Sequence, residues 1–158
     1  MTEQELALLR KSIERARQAR AHGNHPVGAL LADPQGHVIL EAENTVVTGR
    51  DCTGHAETNL MREASRLFPR ELLETCTLYA STEPCPMCAG AIFWGGVRRV
   101  VFALSEASLY AVAGNGPENL PLGCAALLAH GGHPTEVIGP LIEAEARTVH
   151  DGFWTAAS

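Results

Sequence analysis

The chain has 158 residues, of which 46% are hydrophobic and 19% charged, with a net charge of −6 and five cysteines. That size and mixture suit one globular domain over residues 1–158, large enough to bury its own core, and no apolar run reaches the length of a membrane span. The acidic balance disfavours a surface that tracks phosphates, and the cysteines form no disulfide framework, which points to a reducing compartment.

The start, Met1-Thr2-Glu3-Gln4-Glu5, lacks the basic and apolar regions of a signal peptide, so a cytoplasmic location is expected. Leu6, Leu9, Ile13 and Ala16 recur at helical spacing, and Gly23-Asn24 stops that helix. Arg10, Lys11, Arg15, Arg17 and Arg20 cluster on it and read as a solvated face. Val27 to Leu31 reads as a buried strand, Asp33-Pro34-Gln35-Gly36 as a turn, and His37 to Ala42 as the hairpin partner. A helix follows over residues 55 to 67 and stops at Phe68-Pro69. Then come a strand at Thr77 to Ser81, a helix from Cys85 to Trp94 and a strand from Arg98 to Leu104. A short helix near 124 to 130, a strand at Thr135 to Ile138 and a terminal helix from about Leu141 complete the pattern. Such alternation implies a central sheet between helices.

Chemistry enters with His55-Ala56-Glu57 and Pro84-Cys85-Pro86-Met87-Cys88. His55, Cys85 and Cys88 are ligands of the kinds zinc takes, and three protein ligands leave a fourth position for water, as in catalytic sites. Zinc lowers the pKa of that water from 15.7 toward about 7, making hydroxide available at neutral pH, and a nearby carboxylate can carry a proton. Cys85 and Cys88 fall three apart, on one face of a helix whose start suits Pro84 and Pro86, and a helix N-terminus favours thiolate. A redox dithiol is the other reading of Cys-x-x-Cys, and a structural zinc site would need a fourth ligand from Cys52, Cys76 or Cys124. None of those three has a partner at ligand spacing, and Cys76 reads as core filler.

The H-x-E and P-C-x-x-C pair resembles the zinc deaminases of the cytidine deaminase-like superfamily, in the guanine deaminase and nucleoside deaminase branch related to tRNA adenosine deaminases. The resemblance is good over residues 4–104 and loose beyond. It implies a three-layer α/β/α fold with a five-stranded mixed sheet, and one zinc per chain held by His55, Cys85 and Cys88. Glu57 is implied as the proton carrier, and a homodimer as the assembly. It also implies an Asn44 side chain and an Ala56 N–H that bond the base. Val27 then sits near substrate or in the core, and Trp94 stacks on a purine or fills the core at a helix end.

The tail departs from the pattern. Guanine deaminases carry an acid after the fourth strand, whereas Ala111-Val112-Ala113-Gly114-Asn115-Gly116-Pro117 has none before Glu118. Either Glu118 substitutes or the 2-amino edge is not what is recognised. Trp154 resembles C-terminal aromatics that cover the pocket, or else docks on the sheet.

The resulting expectation is hydrolytic deamination of a free nucleobase or nucleoside, a purine of guanine type, as in purine salvage. Cytosine or cytidine deamination and tRNA adenosine editing stand as the alternatives. An idle zinc module that binds partners is a further class, which metal-dependent ammonia release would exclude. A nucleic-acid partner is not expected, since after Arg99 the only Arg or Lys is Arg147.

Overall fold

Thr2 starts the first helix by a reciprocal cap. Its hydroxyl accepts the Glu5 N–H at 3.1 Å, while the Glu5 carboxylate accepts the Thr2 N–H at 3.0 Å. The structure, a computed structural model, describes residues 1–154. Helix α1 (Glu3–Ala21) buries Leu9, Ile13 and Ala16 as the spacing requires. The hairpin β1 (Gly28–Ala32) and β2 (Val38–Glu43) follows, then a helical turn α2 (Val46–Gly49). Next come α3 (Ala56–Leu67), the turn α4 (Arg70–Leu73), β3 (Thr77–Thr82), α5 (Pro86–Gly95) and β4 (Arg99–Leu104). The remainder is α6 (Glu106–Ala113), α7 (Cys124–Leu128), β5 (Glu136–Ile138) and α8 (Glu143–Thr148). The expected elements are present, with boundaries shifted by a residue or two. Three elements were not expected: α2, α4 and α6.

The strands form one mixed sheet in the order β2-β1-β3-β4-β5. Strand β1 runs antiparallel to both β2 and β3, whereas β3, β4 and β5 are parallel. Alternate side chains go to opposite layers. Ala29, Leu31, Leu78 and Phe102 pack with Leu60 of α3 and Ile92 of α5. Leu30, Tyr79 and Val101 pack with Leu9 and Ile13 of α1 and Ala146 of α8. This is the expected α/β/α sandwich.

Gly28 is where α1 presses on the sheet. A Cβ there would lie 2.6 Å from the Ala16 backbone nitrogen, so no larger residue fits without moving the helix. The Gly28 N–H donates to Ser81 Oγ at 3.0 Å, which ties the start of β1 to the end of β3. Among the described residues no helix is long and apolar enough to cross a membrane.

The basic run of α1 is committed to the protein itself. Arg10 forms a two-pronged pair with Glu145 at 2.9 and 3.1 Å, Arg17 bonds the Thr148 hydroxyl at 3.3 Å, and Arg20 bonds the Val149 carbonyl at 2.9 Å. Three of the five residues that read in sequence as a solvated face, Arg10, Arg17 and Arg20, therefore clasp α8 and the turn after it.

Candidate active site

His55 is the N-cap residue of α3 and Cys85 that of α5, with Pro86 at the first helical position of α5. The two helix starts therefore face each other. His55 Nδ1 lies 3.4 Å from Cys85 Sγ and 3.6 Å from Cys88 Sγ, and the three ligand atoms all lie within 4.8 Å of one another. Tetrahedral zinc with bonds of about 2.05 Å to nitrogen and 2.3 Å to sulfur separates such atoms by about 3.6 Å. The observed spacings fit that ion. Among the described residues no other cysteine joins the group, which leaves one tetrahedral position free of protein. The Thr58 hydroxyl lies 3.2 Å from Cys88 Sγ and can donate to it as thiolate. Hydrogen bonds from Cys88 and His55 hold the Cys85 thiol down at about 4, and the bond to Cys85 pushes Cys88 up, so the pair shares one proton.

Glu57 follows one residue into α3 and is buried. Its Oε1 has no hydrogen-bond partner among the described residues. Burial raises its carboxyl to about 7, helped by the neighbouring Cys85 charge. A buried carboxylate oxygen with no partner of its own beside a two-sulfur, one-nitrogen ligand set is arranged to act on something that enters. The Ala56 N–H at the same helix start also has no partner among the described residues.

A cavity of about 160 Å³ opens over these groups. Its lining includes Asn44, Val27 and Trp154, three of the expected contacts. Asn44 is buried, its Oδ1 takes the Val46 N–H at 3.0 Å, and its Nδ2 has no partner among the described residues. Val27 lines the cavity and also packs on the core.

Two expected contacts are not brought to the cleft. Trp94 is 78% exposed and stands over a shallow depression with Met61 and Gly95. The reason is helical rotation: six residues beyond Cys88 turn a side chain by about 240°, away from the metal ligands. Glu118 is exposed in the segment after α6 and does not line the cavity.

Six lining residues escaped the sequence reading: His25, Thr82, Glu83, Glu106, Leu109 and Tyr110. Helix α6 was the missing element. Its signal was present, since Ser105 caps it through the Ser108 N–H at 3.1 Å and Glu106 follows as a first-turn acid. The Glu83 carboxylate accepts the Glu106 N–H at 2.9 Å and the Cys124 N–H at 2.8 Å, fastening the starts of α6 and α7 beside the site.

Trp154 reaches the cleft through a chain of contacts. Its Nε1 donates to His150 Nδ1 at 3.0 Å, and its ring lies 5.1 Å from that of His25 and 4.8 Å from that of Phe153. Accepting at Nδ1 fixes the His150 proton on Nε2, which is buried without a partner. Burial, and secondarily the Arg20 charge, push His150 down to about 4. The unfolded chain then takes up this proton first, near pH 6.5, and the folded chain only near 4. Stability from this group is complete above pH 6.5 and falls as the pH drops toward 4, by on the order of 3 kcal/mol. Denaturant midpoints at pH 7 and 4.5 check this. His150→Gln should flatten the difference, and an unchanged pH dependence in that variant would clear His150.

Comparison with known proteins agrees with this geometry. A family model described as the cytidine and deoxycytidylate deaminase zinc-binding region matches residues 2–104. The chain is 45% identical over 156 residues to a protein of Schizosaccharomyces pombe named "Probable cytosine deaminase", covering 98% of this chain and 94% of that one. It is 38% identical over 99 residues to the tRNA-specific adenosine deaminase of Haemophilus influenzae, covering 63% of this chain and 57% of that one. The solved structure of guanine deaminase from Nitrosomonas europaea superposes with a TM-score of 0.73 at 27% identity, covering 94% of this chain and 82% of that one.

Proposed function

Because the chain belongs to the cytidine and deoxycytidylate deaminase zinc-binding family, we propose that it is a hydrolytic deaminase of a small free nucleobase, cytosine ahead of guanine. The observation that carries the activity is the buried Glu57 with its unpartnered Oε1 beside His55, Cys85 and Cys88. His55, Cys85 and Cys88 would hold the zinc, which would supply water at a pKa low enough to attack near neutral pH. Glu57 is placed to take one proton of the attacking water at Oε1 and deliver it to the adjacent ring nitrogen, then to carry the remaining hydroxyl proton to the amine. The carbon gains the oxygen of water, the C–N bond breaks, and ammonia leaves an oxo base. Asn44 Nδ2 and the Ala56 N–H donate to acceptors on the base, and Val27 and Trp154 flank its ring.

The preference for cytosine rests on three supports. The Schizosaccharomyces pombe relative named for cytosine is alike over nearly the whole chain. The cavity, about 160 Å³, is small beside the ~300–1,000 Å³ of drug-sized ligand sites. The purine reading drew on Trp94 and Asn44, and Trp94 stands outside the cleft, as does Glu118, which would have had to replace the acid expected for guanine. Guanine is the second reading, favoured by the likeness to the Nitrosomonas europaea structure. Against tRNA stands the clasp of Arg10, Arg17 and Arg20 on the C-terminal segment, which withdraws those cations from phosphate binding.

Measuring kcat/KM by ammonia release for cytosine, guanine, adenine, their nucleosides and tRNA tests this reading. Cytosine should lead and tRNA should be inert. Guanine ahead of cytosine by tenfold would replace the base, and salt-sensitive turnover of tRNA would replace the substrate class.

A further inference from the structure

A nucleobase and its nucleoside differ at one ring nitrogen, which carries a proton in the first and a sugar in the second. A site distinguishes them if it places a buried acceptor against that proton. Glu106 is such an acceptor. It lines the cleft at the start of α6, is 7% exposed, and is braced on several sides. Its Oε1 accepts the Tyr110 hydroxyl at 2.9 Å, Tyr110 Oη accepts the Leu120 N–H at 3.3 Å, and the Glu106 N–H donates to Glu83 Oε1 at 2.9 Å. Among the described residues nothing donates to Oε2. The carboxyl is therefore held in place by one oxygen while the other is uncommitted, and Asn44, in the same lining, has an uncommitted Nδ2. An uncommitted carboxylate oxygen at the cleft is free to take a donor from whatever enters.

We infer that Glu106 is the specificity-determining residue of the site, accepting through Oε2 a ring N–H of an unglycosylated base, with Tyr110 as its positioning residue. This rests on the deaminase reading above and narrows it from base or nucleoside to base. In cytosine and adenine the only N–H besides the departing amine sits on the nitrogen that bears the sugar in cytidine and adenosine. Those nucleosides would leave the Glu106 carboxylate buried and unpaired. A site built around a hydrogen bond rejects the analogue lacking it far more strongly than a hydrophobic pocket rejects a change of size. Burial raises the Glu106 carboxyl, with the Tyr110 hydrogen bond acting against that rise, so a donor from the ligand adds to what Tyr110 supplies.

The test compares kcat/KM for cytosine with cytidine in the zinc-loaded wild type and in Glu106→Gln, Glu106→Leu and Tyr110→Phe. The wild type should favour the base by at least about 100-fold. Losing a hydrogen bond to a charged group should cost the base about 10- to 100-fold in both Glu106 variants. The nucleoside rate should change little, so the ratio contracts while zinc stays at about one per chain. Tyr110→Phe should contract the same ratio less, through KM with kcat nearly kept, which a merely structural tyrosine would not do. It also keeps the test available should neither Glu106 variant fold. A ratio unchanged within threefold in the variants that fold, or a wild type that takes nucleoside as well as base, overturns the inference but leaves the deaminase reading standing. A wild type inert on every base and nucleoside removes both.

Discussion

Replacing Glu57 with Gln is expected to leave zinc at about one per chain and to lower turnover by on the order of 10² to 10⁴. Glutamine keeps the shape of the side chain, and Glu57 is outside the group of three ligand atoms, so the metal has no reason to leave. What the amide cannot do is take a proton from water and return it to a ring nitrogen and an amine. Because one carboxylate serves each transfer in the proposed reaction, the upper part of that range is expected. Metal analysis and steady-state turnover on the same sample separate the two effects. A variant keeping a tenth of wild-type turnover would remove Glu57 from this role.

Cys88→Ala is the more severe change, since it removes a ligand and not a proton carrier. Zinc content should fall to background and deamination with it, because the nucleophile depends on the ion. No nearby thiol is ready to replace it. Cys124 lies at the start of α7 and, among the described residues, does not join the group of ligand atoms. Cys124→Ser should accordingly keep its zinc. Full zinc retention in Cys88→Ala would show a different ligand set.

The metal group was legible because each of its parts is local. His55 and Glu57 are two residues apart and Cys85 and Cys88 three, and each pair sits at a helix start, that of α5 announced by Pro86. The sheet was legible as alternation and its five-stranded mixed form from family likeness, whereas the strand order came only with the structure. The cleft wall was much less so. Glu106 and Tyr110 reach the site only because β4 ends beside β3 and α6 starts there, a relation between segments far apart in the chain. His25 and Trp154 likewise meet only across the fold. Trp94 was read from likeness to an aromatic position of guanine deaminases, and the rotation of α5 turns it to the exposed surface, away from the ligands.

The reversal of direction between β1 and β3 brings the beginning of one strand and the ends of β3 and β4 to the same edge of the sheet. Reactivity is mounted on α3 and α5, whose bodies are locked into the interior. Other groups that line the cleft are mounted elsewhere, on α6 and on the turn after α8. Drift in the second set can retune which molecule is accepted without disturbing the first. Heredity can thus alter the diet of such a chain while its hydrolytic step stays constant, which accords with relatives named for cytosine, guanine and tRNA adenosine sharing one frame.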